Sequence, residues 1–268
     1  MTRSDLEKDE ALVLRSLRHG DTSRIVTLFT RKHGRLAVIA KGARRSKTGG
    51  SGGALETPSL IEAMIYIKSS RSVQLLGQIS TLNTYPVIKQ DLILNGYASA
   101  LLEIINLSFT DNEPNHEAFD IAVRTLDKLN KKIGDPRVNL WLFQIKILSL
   151  SGFAINPFFC PLCNRESGRL AAKNLFWIQA GAVCCSECRP QTGESIPLSG
   201  ESVSLLRKLV DDPNPINLRL KPSPSARREI SGLLIKFLKF HIPNIGKMPA
   251  MMMLDRFENL QPAAQKKT

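Results

Sequence analysis

The cysteines are the residues whose type and spacing best suit a defined chemistry. Cys160-Pro161-Leu162-Cys163 and Cys185-Ser186-Glu187-Cys188 are two C-x-x-C pairs separated by the segment from Asn164 to Cys184. Each pair can turn as a tight knuckle that aims two thiolates at one ion, and two knuckles supply the tetrahedral sulfur shell of a zinc site. The expectation is one structural Zn2+ held by Cys160, Cys163, Cys185 and Cys188, because four thiolates leave no open position for a catalytic water. A redox role would call for a thioredoxin-like βαβ pattern, which does not surround either pair. Cys184 is the spare: replacing Cys185 by it would make a C-x3-C, so it is expected as a packed or free thiol. Between the knuckles, Phe176-Trp177-Ile178 reads as a strand and Ala180-Gly181 as a turn, which suits a hairpin.

A second concentration of chemistry lies between Ala11 and Lys47. Arg15, Arg18, Arg24, Arg31, Lys32, Arg35, Lys41, Arg44, Arg45 and Lys47 face a single acid there, Asp21. Lysine and arginine on strands ordinarily come with carboxylates and mean only a solvated face; without them, the surface is suited to a polyanion. Arg24, Arg35, Lys41, Arg44 and Arg45 are the expected phosphate contacts. Aromatic side chains near this stretch are few (Phe29, Tyr66, Tyr85 and Tyr97), which favours contacts to the backbone of a nucleic acid over base stacking.

The whole composition agrees. Of 268 residues, 43% are hydrophobic and 23% charged, ordinary for a globular chain, but the formal net charge is +13. That excess favours nucleic acid, an anionic membrane surface or an acidic partner. The opening MTRSDLEKDE has no apolar core, so it is not read as a signal peptide, and no run reaches the ~20 apolar residues of a membrane span. The reading is a soluble, cytoplasmic protein, in which thiols stay reduced. Catalytic patterns are missing. Gly42-Ala43-Arg44-Arg45-Ser46-Lys47-Thr48 only echoes a phosphate loop, lacking one residue and the glycine before lysine. His19, His33, His116 and His241 have no ligand spacing, the carboxylates are scattered, and Met251-Met252-Met253 reads as core or interface filler. The expectation is that the chain is not an enzyme.

The elements that must hold these residues can be read from periodicity. Leu12 to Leu17, Ile25 to Phe29 and Leu36 to Ala40 alternate as half-buried strands, with turns at His19-Gly20-Asp21 and His33-Gly34. A loop follows, Thr48 to Gly53 and then Ala54 to Pro58, expected to be flexible and to carry no packing side chains. Leu60 to Lys68 and Val73 to Ile79 alternate again, with Gly77 as a bulge. Five short strands fit a closed oligonucleotide-binding barrel, and an SH3-like barrel has the same count. The period then becomes helical: Tyr97 to Ser108, Phe119 to Leu129, and a helix from Pro136 that is apolar nearly all round and so buried. Val203 to Val210 and a last long helix capped by Ser225 follow, with residues 211–224 as a loop and Gln261 to Thr268 as a disordered tail.

These residues resemble a known family. The run ALVLRSLRHGDTSRIVTLFTRKHGRLAVIAKGARRSK is similar to the amino-terminal domain of the bacterial RecO family, recombination mediators. The Gly20-Asp21 turn with Ser23, the Gly34-Arg35-Leu36 step, Lys41-Gly42-Ala43-Arg44 and both cysteine pairs carry the likeness, which extends over nearly the whole chain. It implies an α+β multidomain protein: an oligonucleotide-binding barrel over residues 1–82, a helical domain over 83–157 and 193–258, a four-cysteine zinc insertion at 158–192, and a disordered tail from 259. It also implies no enzymatic turnover, binding and annealing of single-stranded DNA with duplex DNA as a further ligand, work on strands coated by single-strand-binding protein, and assembly with RecR to help load RecA. The residues taken alone leave a second reading open, a basic zinc-ribbon protein that binds RNA and associates with the ribosome.

Overall fold

The computed structural model describes residues 5–42, 53–167, 174–211, 220–242 and 248–260. Five strands open the chain: β1 (Asp5–His19), β2 (Ser23–Thr30), β3 (Gly34–Ala40), β4 (Leu60–Ile67) and β5 (Val73–Asn83). Their order is 1-2-3-5-4, and β1 pairs with β4 to close the sheet into a barrel. The β3–β5 pair is parallel and the others antiparallel. This is the five-stranded Greek-key arrangement of the oligonucleotide-binding fold.

Alternation places Val13, Val26, Leu28, Val38, Ile61, Ala63 and Ile65 inside, each fully buried. Register irregularities help so few strands close. The β1–β2 register shifts between Val13 and Arg15, and the β4–β5 register shifts between Ala63 and Ile65, opposite Gly77. A Cβ on Gly77 would stand 3.1 Å from the Met64 carbonyl oxygen, so glycine at the bulge expected there has a steric reason.

Two strand boundaries depart from the expectation. β1 begins at Asp5 rather than Leu12, because the charged Glu7, Asp9 and Glu10 find partners that let the strand continue. Asp9 is 3% exposed; its Oδ2 accepts the Lys32 backbone N–H at 2.9 Å and lies 3.1 Å from His33 Nδ1. β5 likewise runs on to Asn83. The segment after Gly53 also differs. Ala54 and Leu55 pack into the barrel core, Leu55 completely, so this stretch carries packing side chains after all.

The helices fall into two compact units. The first comprises Met1–Lys131 and Lys247–Thr268, the second Lys132–Gly246. In the first, α1 (Pro86–Gln90), α2 (Leu92–Ser108) and α3 (His116–Asn130) follow the barrel, and α7 (Pro249–Leu260) returns to pack on α2. Asp91 caps α2 and Asn115 caps α3 through their side chains. The barrel meets these helices through Phe29, whose ring lies 5.2 Å from that of Phe109 and 6.1 Å from that of Phe119. Arg31 sits over Phe119 and bonds Glu10 and Asp120.

The second unit is built on α4 (Pro136–Leu150), with α5 (Gly200–Asp211), α6 (Pro224–His241) and a three-stranded sheet of β6 (Asn174–Trp177), β7 (Ala182–Cys184) and β8 (Ser195–Leu198), ordered 7-6-8. Pro136 stands in the first turn of α4, and Trp141, Phe143, Ile147 and Leu148 bury its sides, as an all-round apolar helix requires. The cap of α6 is Ser223, not Ser225: its Oγ accepts the Ala226 N–H, and Pro224 takes the first helical position. Nor is α6 the last helix, since α7 follows, with Met251 buried and Met252 and Met253 exposed. Residues 212–219 of the expected loop and the tail from Gln261 lie outside the described residues.

Candidate metal centre and nucleic-acid interface

The first knuckle is a small hairpin. Phe159 and Glu166 form an antiparallel bridge, the Cys160 N–H donates to the Arg165 carbonyl at 2.8 Å, and the Asn164 N–H returns to the Cys160 carbonyl at 2.9 Å. The tight turn is completed by Asn164 in the left-handed region, φ 58°, a conformation asparagine tolerates better than most residues. The second knuckle continues directly from β7, whose pairing with β6 fixes where Cys185 begins. Ser167 ties the first knuckle down, its hydroxyl donating to the Pro157 carbonyl at 2.9 Å.

These two turns bring the sulfurs of Cys160, Cys163, Cys185 and Cys188 within 4.8 Å of one another. Around a zinc ion at the usual ~2.3 Å, sulfurs stand roughly 3.8 Å apart, so the four are close enough to bind a metal ion. Backbone N–H groups at the knuckles favour thiolate at Cys160 and Cys185. Burial pushes the Cys160 thiol up, but the backbone N–H groups of Cys185, Leu162 and Cys163 outweigh it and bring it down to about 6. Burial likewise opposes ionisation of Cys185, and the N–H groups of Glu187 and Cys188 again prevail, lowering it. The hydrogen bonds from Cys185 and Cys163 push Cys188 up to about 12. Crowded thiols cannot all ionise without a cation among them, whereas a bound divalent ion would hold all four as thiolates.

Cys184 behaves differently. It is fully buried, and burial first, with the neighbouring Cys160 second, pushes it up to about 11. It lies at the end of β7 and is not one of the four clustered ligands. An exposed ion pair between Arg165 and Glu187, 2.8 Å, links the two knuckles.

The basic residues of the barrel divide into two groups. Around the β1–β2 turn, residues equidistant from Asp21 are partners: Arg18 faces Arg24 and Leu17 faces Ile25. Arg24 in turn pairs with Ala40 on β3, directly before Lys41. Arg18, Arg24 and Lys41 therefore gather at one end of the barrel. Arg24 is steadied by a 3.1 Å hydrogen bond from Nη1 to Ser16 Oγ, while its Nε is buried without a hydrogen-bond partner. Arg15, Arg18 and Lys41 are exposed and make no ion pair among the described residues. Like charges opposed across two strands are unfavourable for the barrel alone and favourable once an anion lies between them.

Arg35 belongs to the other group. Its Nε donates to Asp111 at 2.6 Å and its Nη1 to the Asn106 carbonyl, so the charge is committed to the α2–α3 connection. Arg44 and Arg45 lie outside the described residues. Arg18, absent from the expected contacts, could have been found by counting outward from the Asp21 turn. Of the four aromatics near the barrel, Phe29, Tyr85 and Tyr97 are buried, and only Tyr66 reaches the surface.

Comparison with known proteins agrees along the chain. Residues 1–85 match the family model described as Recombination protein O N terminal, and residues 89–248 match Recombination protein O C terminal. The DNA repair protein RecO of Bacillus pumilus (strain SAFR-032) is 31% identical over 202 residues, covering 75% of this chain and 76% of that protein. The DNA repair protein RecO of Salinibacter ruber (strain DSM 13855 / M31) is 28% identical over 268 residues, 98% of each. That of Bacillus subtilis (strain 168) is 28% identical over 246 residues, covering 88% of this chain and 93% of the relative. With both halves matched, the chain belongs to the RecO family, a family of DNA repair and recombination proteins.

Proposed function

We propose that this chain is a non-catalytic mediator of DNA repair and homologous recombination that binds single-stranded DNA at the basic end of its barrel. The observation that carries the reading is the opposition of Arg18 and Arg24, with Lys41 just past the end of the neighbouring strand β3. Phosphates between these side chains relieve their mutual repulsion and release condensed counterions, so affinity comes without sequence preference. Duplex DNA offers the same phosphates and is a second ligand. A surface that neutralises two strands at once also lowers the repulsion between them, which speeds annealing without nucleotide hydrolysis.

Family membership supports the remaining parts of the proposal: action on strands coated by single-strand-binding protein, assembly with RecR, and help in loading RecA, in the cytoplasm at the nucleoid. No helix among the described residues is long and apolar enough to cross a membrane. The four cysteines would hold one zinc ion, whose chemistry is structural, fixing two knuckles into one unit; the chain's own N–H donors prepare the thiolates for it.

The test is salt-dependent binding to single-stranded DNA, duplex DNA and RNA of equal length, with strand pairing measured with and without ATP. The proposal expects DNA binding that weakens steeply with salt and pairing indifferent to ATP. Tighter binding to RNA, or pairing that requires ATP, would overturn it.

A further inference from the structure

Four thiolates outnumber the charge of a divalent ion, so a loaded cysteine shell is an anion and gains from cations beside it. The four sulfurs are not equally enclosed. Cys160 and Cys185 are buried, whereas Cys163 and Cys188 are half-buried, so the shell meets solvent on one side. The two knuckles carry four charged side chains: Arg165, Glu166, Glu187 and Arg189. Glu166 is taken by Arg207 at 3.2 Å. Arg189 turns back on its own knuckle, its Nη1 donating to the carbonyls of Ser186 at 3.3 Å and Cys188 at 3.1 Å.

Arg165 reaches across. Its guanidinium donates to Cys163 Sγ on its own knuckle, and its Nη1 lies 2.8 Å from Glu187 Oε2 on the other. Glu187 has the sign of the loaded shell and stands in the chain between two ligands, Cys185 and Cys188. Without a cation of its own it would repel the thiolates beside it. An exposed ion pair by itself contributes little. This pair differs because the same guanidinium also holds a ligand sulfur, a charge-assisted bond. A lysine has the charge but not the planar fork that serves two anions at once.

We infer that Arg165 is a positioning residue of the metal centre, a clasp that joins the two knuckles over the exposed side of the shell and slows loss of the ion. The inference rests on the proposed reading that the four cysteines hold zinc, and it adds a control outside the ligand set. A competing chelator must displace a sulfur from the solvent side, and Cys163 is the half-buried sulfur that Arg165 holds. Because Arg165 and Glu187 are themselves 64% and 65% exposed, dissolved salt weakens the clasp, which makes retention of the ion sensitive to ionic strength.

The experiment loads the full chain with zinc and follows release of the ion to an excess of a chromogenic chelator, at low and high salt. The parent is compared with Arg165→Ala, Arg165→Lys and the double variant Arg165→Ala with Glu187→Gln. Arg165→Ala should release zinc about tenfold faster, the scale of an outer-shell partner, with Arg165→Lys in between. Salt should speed release from the parent and leave Arg165→Ala nearly unchanged. The double variant should release more slowly than Arg165→Ala, since it no longer leaves a lone carboxylate beside the shell. Release from Arg165→Ala within about twofold of the parent, or an equal response of both to salt, would overturn the inference. So would a double variant as fast as Arg165→Ala, which would trace the effect to lost packing rather than to charge. Arg165 is too exposed for its loss to endanger folding, and melting of the loaded variants checks this. If the parent takes up no zinc, the underlying metal reading fails, and the inference with it.

Discussion

Cys163 Sγ and Cys185 Sγ lie 3.6 Å apart although they stand 22 positions apart in the chain. Both belong to the four cysteines whose sulfurs lie close enough together to share a metal ion. A structural zinc typically contributes ~10–16 kcal/mol of apparent binding free energy at neutral pH, comparable to the stability of a whole domain.

Cys185→Ser should therefore lose the ion and melt the small sheet that carries it, while Cys184→Ser should keep one metal ion per chain. The check is metal content by elemental analysis beside thermal melting for both variants. Retention by Cys185→Ser with loss by Cys184→Ser would reverse the ligand assignment. DNA binding by the barrel, which has its own core, should survive chelation.

Gly34 is a second point where one atom decides. It sits in the left-handed region at φ 67° and its missing Cβ would collide with the Glu113 carbonyl. Gly34→Ala should cost more than the ~1–3 kcal/mol of a left-handed non-glycine residue, because the β2–β3 turn must also move away from the α2–α3 connection. Denaturant unfolding measures this, and a loss below about 1 kcal/mol would contradict the close approach.

Glu103 receives the first turn of α7: the Ala250 and Met251 N–H groups donate to its two carboxylate oxygens, each at 3.2 Å. Burial pushes the carboxyl up and these N–H bonds pull it down, leaving it above the ordinary carboxylate range. A folded-state pKa above the unfolded one means that the native state binds the proton more tightly, so this group's contribution becomes more favourable as pH falls through the folded value. The melting temperature of the parent relative to Glu103→Gln should accordingly rise between pH 8 and about pH 5. A difference that falls over this range would contradict the placement of α7.

What could be read from the residues, and what could not, follows a physical line. Strand alternation is legible where one face meets a core, as at Val26, Leu28 and Val38, and cysteine spacing is legible because coordination geometry is short-range. The start of β1 is hidden because Asp9 is buried by partners in the β2–β3 turn, Lys32 and His33, a tertiary arrangement that erases the local apolar signal. Leu55 looked like loop because a single plugging side chain has no periodicity. Ser223 and Ser225 are equal as caps by type, and only the position of Pro224 in the first turn separates them. The split of the arginines was likewise invisible: nothing local to Arg35 announces that Asp111 will lie beside it.

That split gives the most direct test of the account, which holds that Arg18, Arg24 and Lys41 form the phosphate-binding end of the barrel. The measurement is the slope of log K against log salt for a single-stranded oligonucleotide. If the three side chains neutralise about three phosphates, the triple alanine variant should flatten that slope by roughly 2, while Arg35→Ala should lower the melting temperature and leave the slope in place. An unchanged slope in the triple variant, or a flattened one in Arg35→Ala alone, would contradict it.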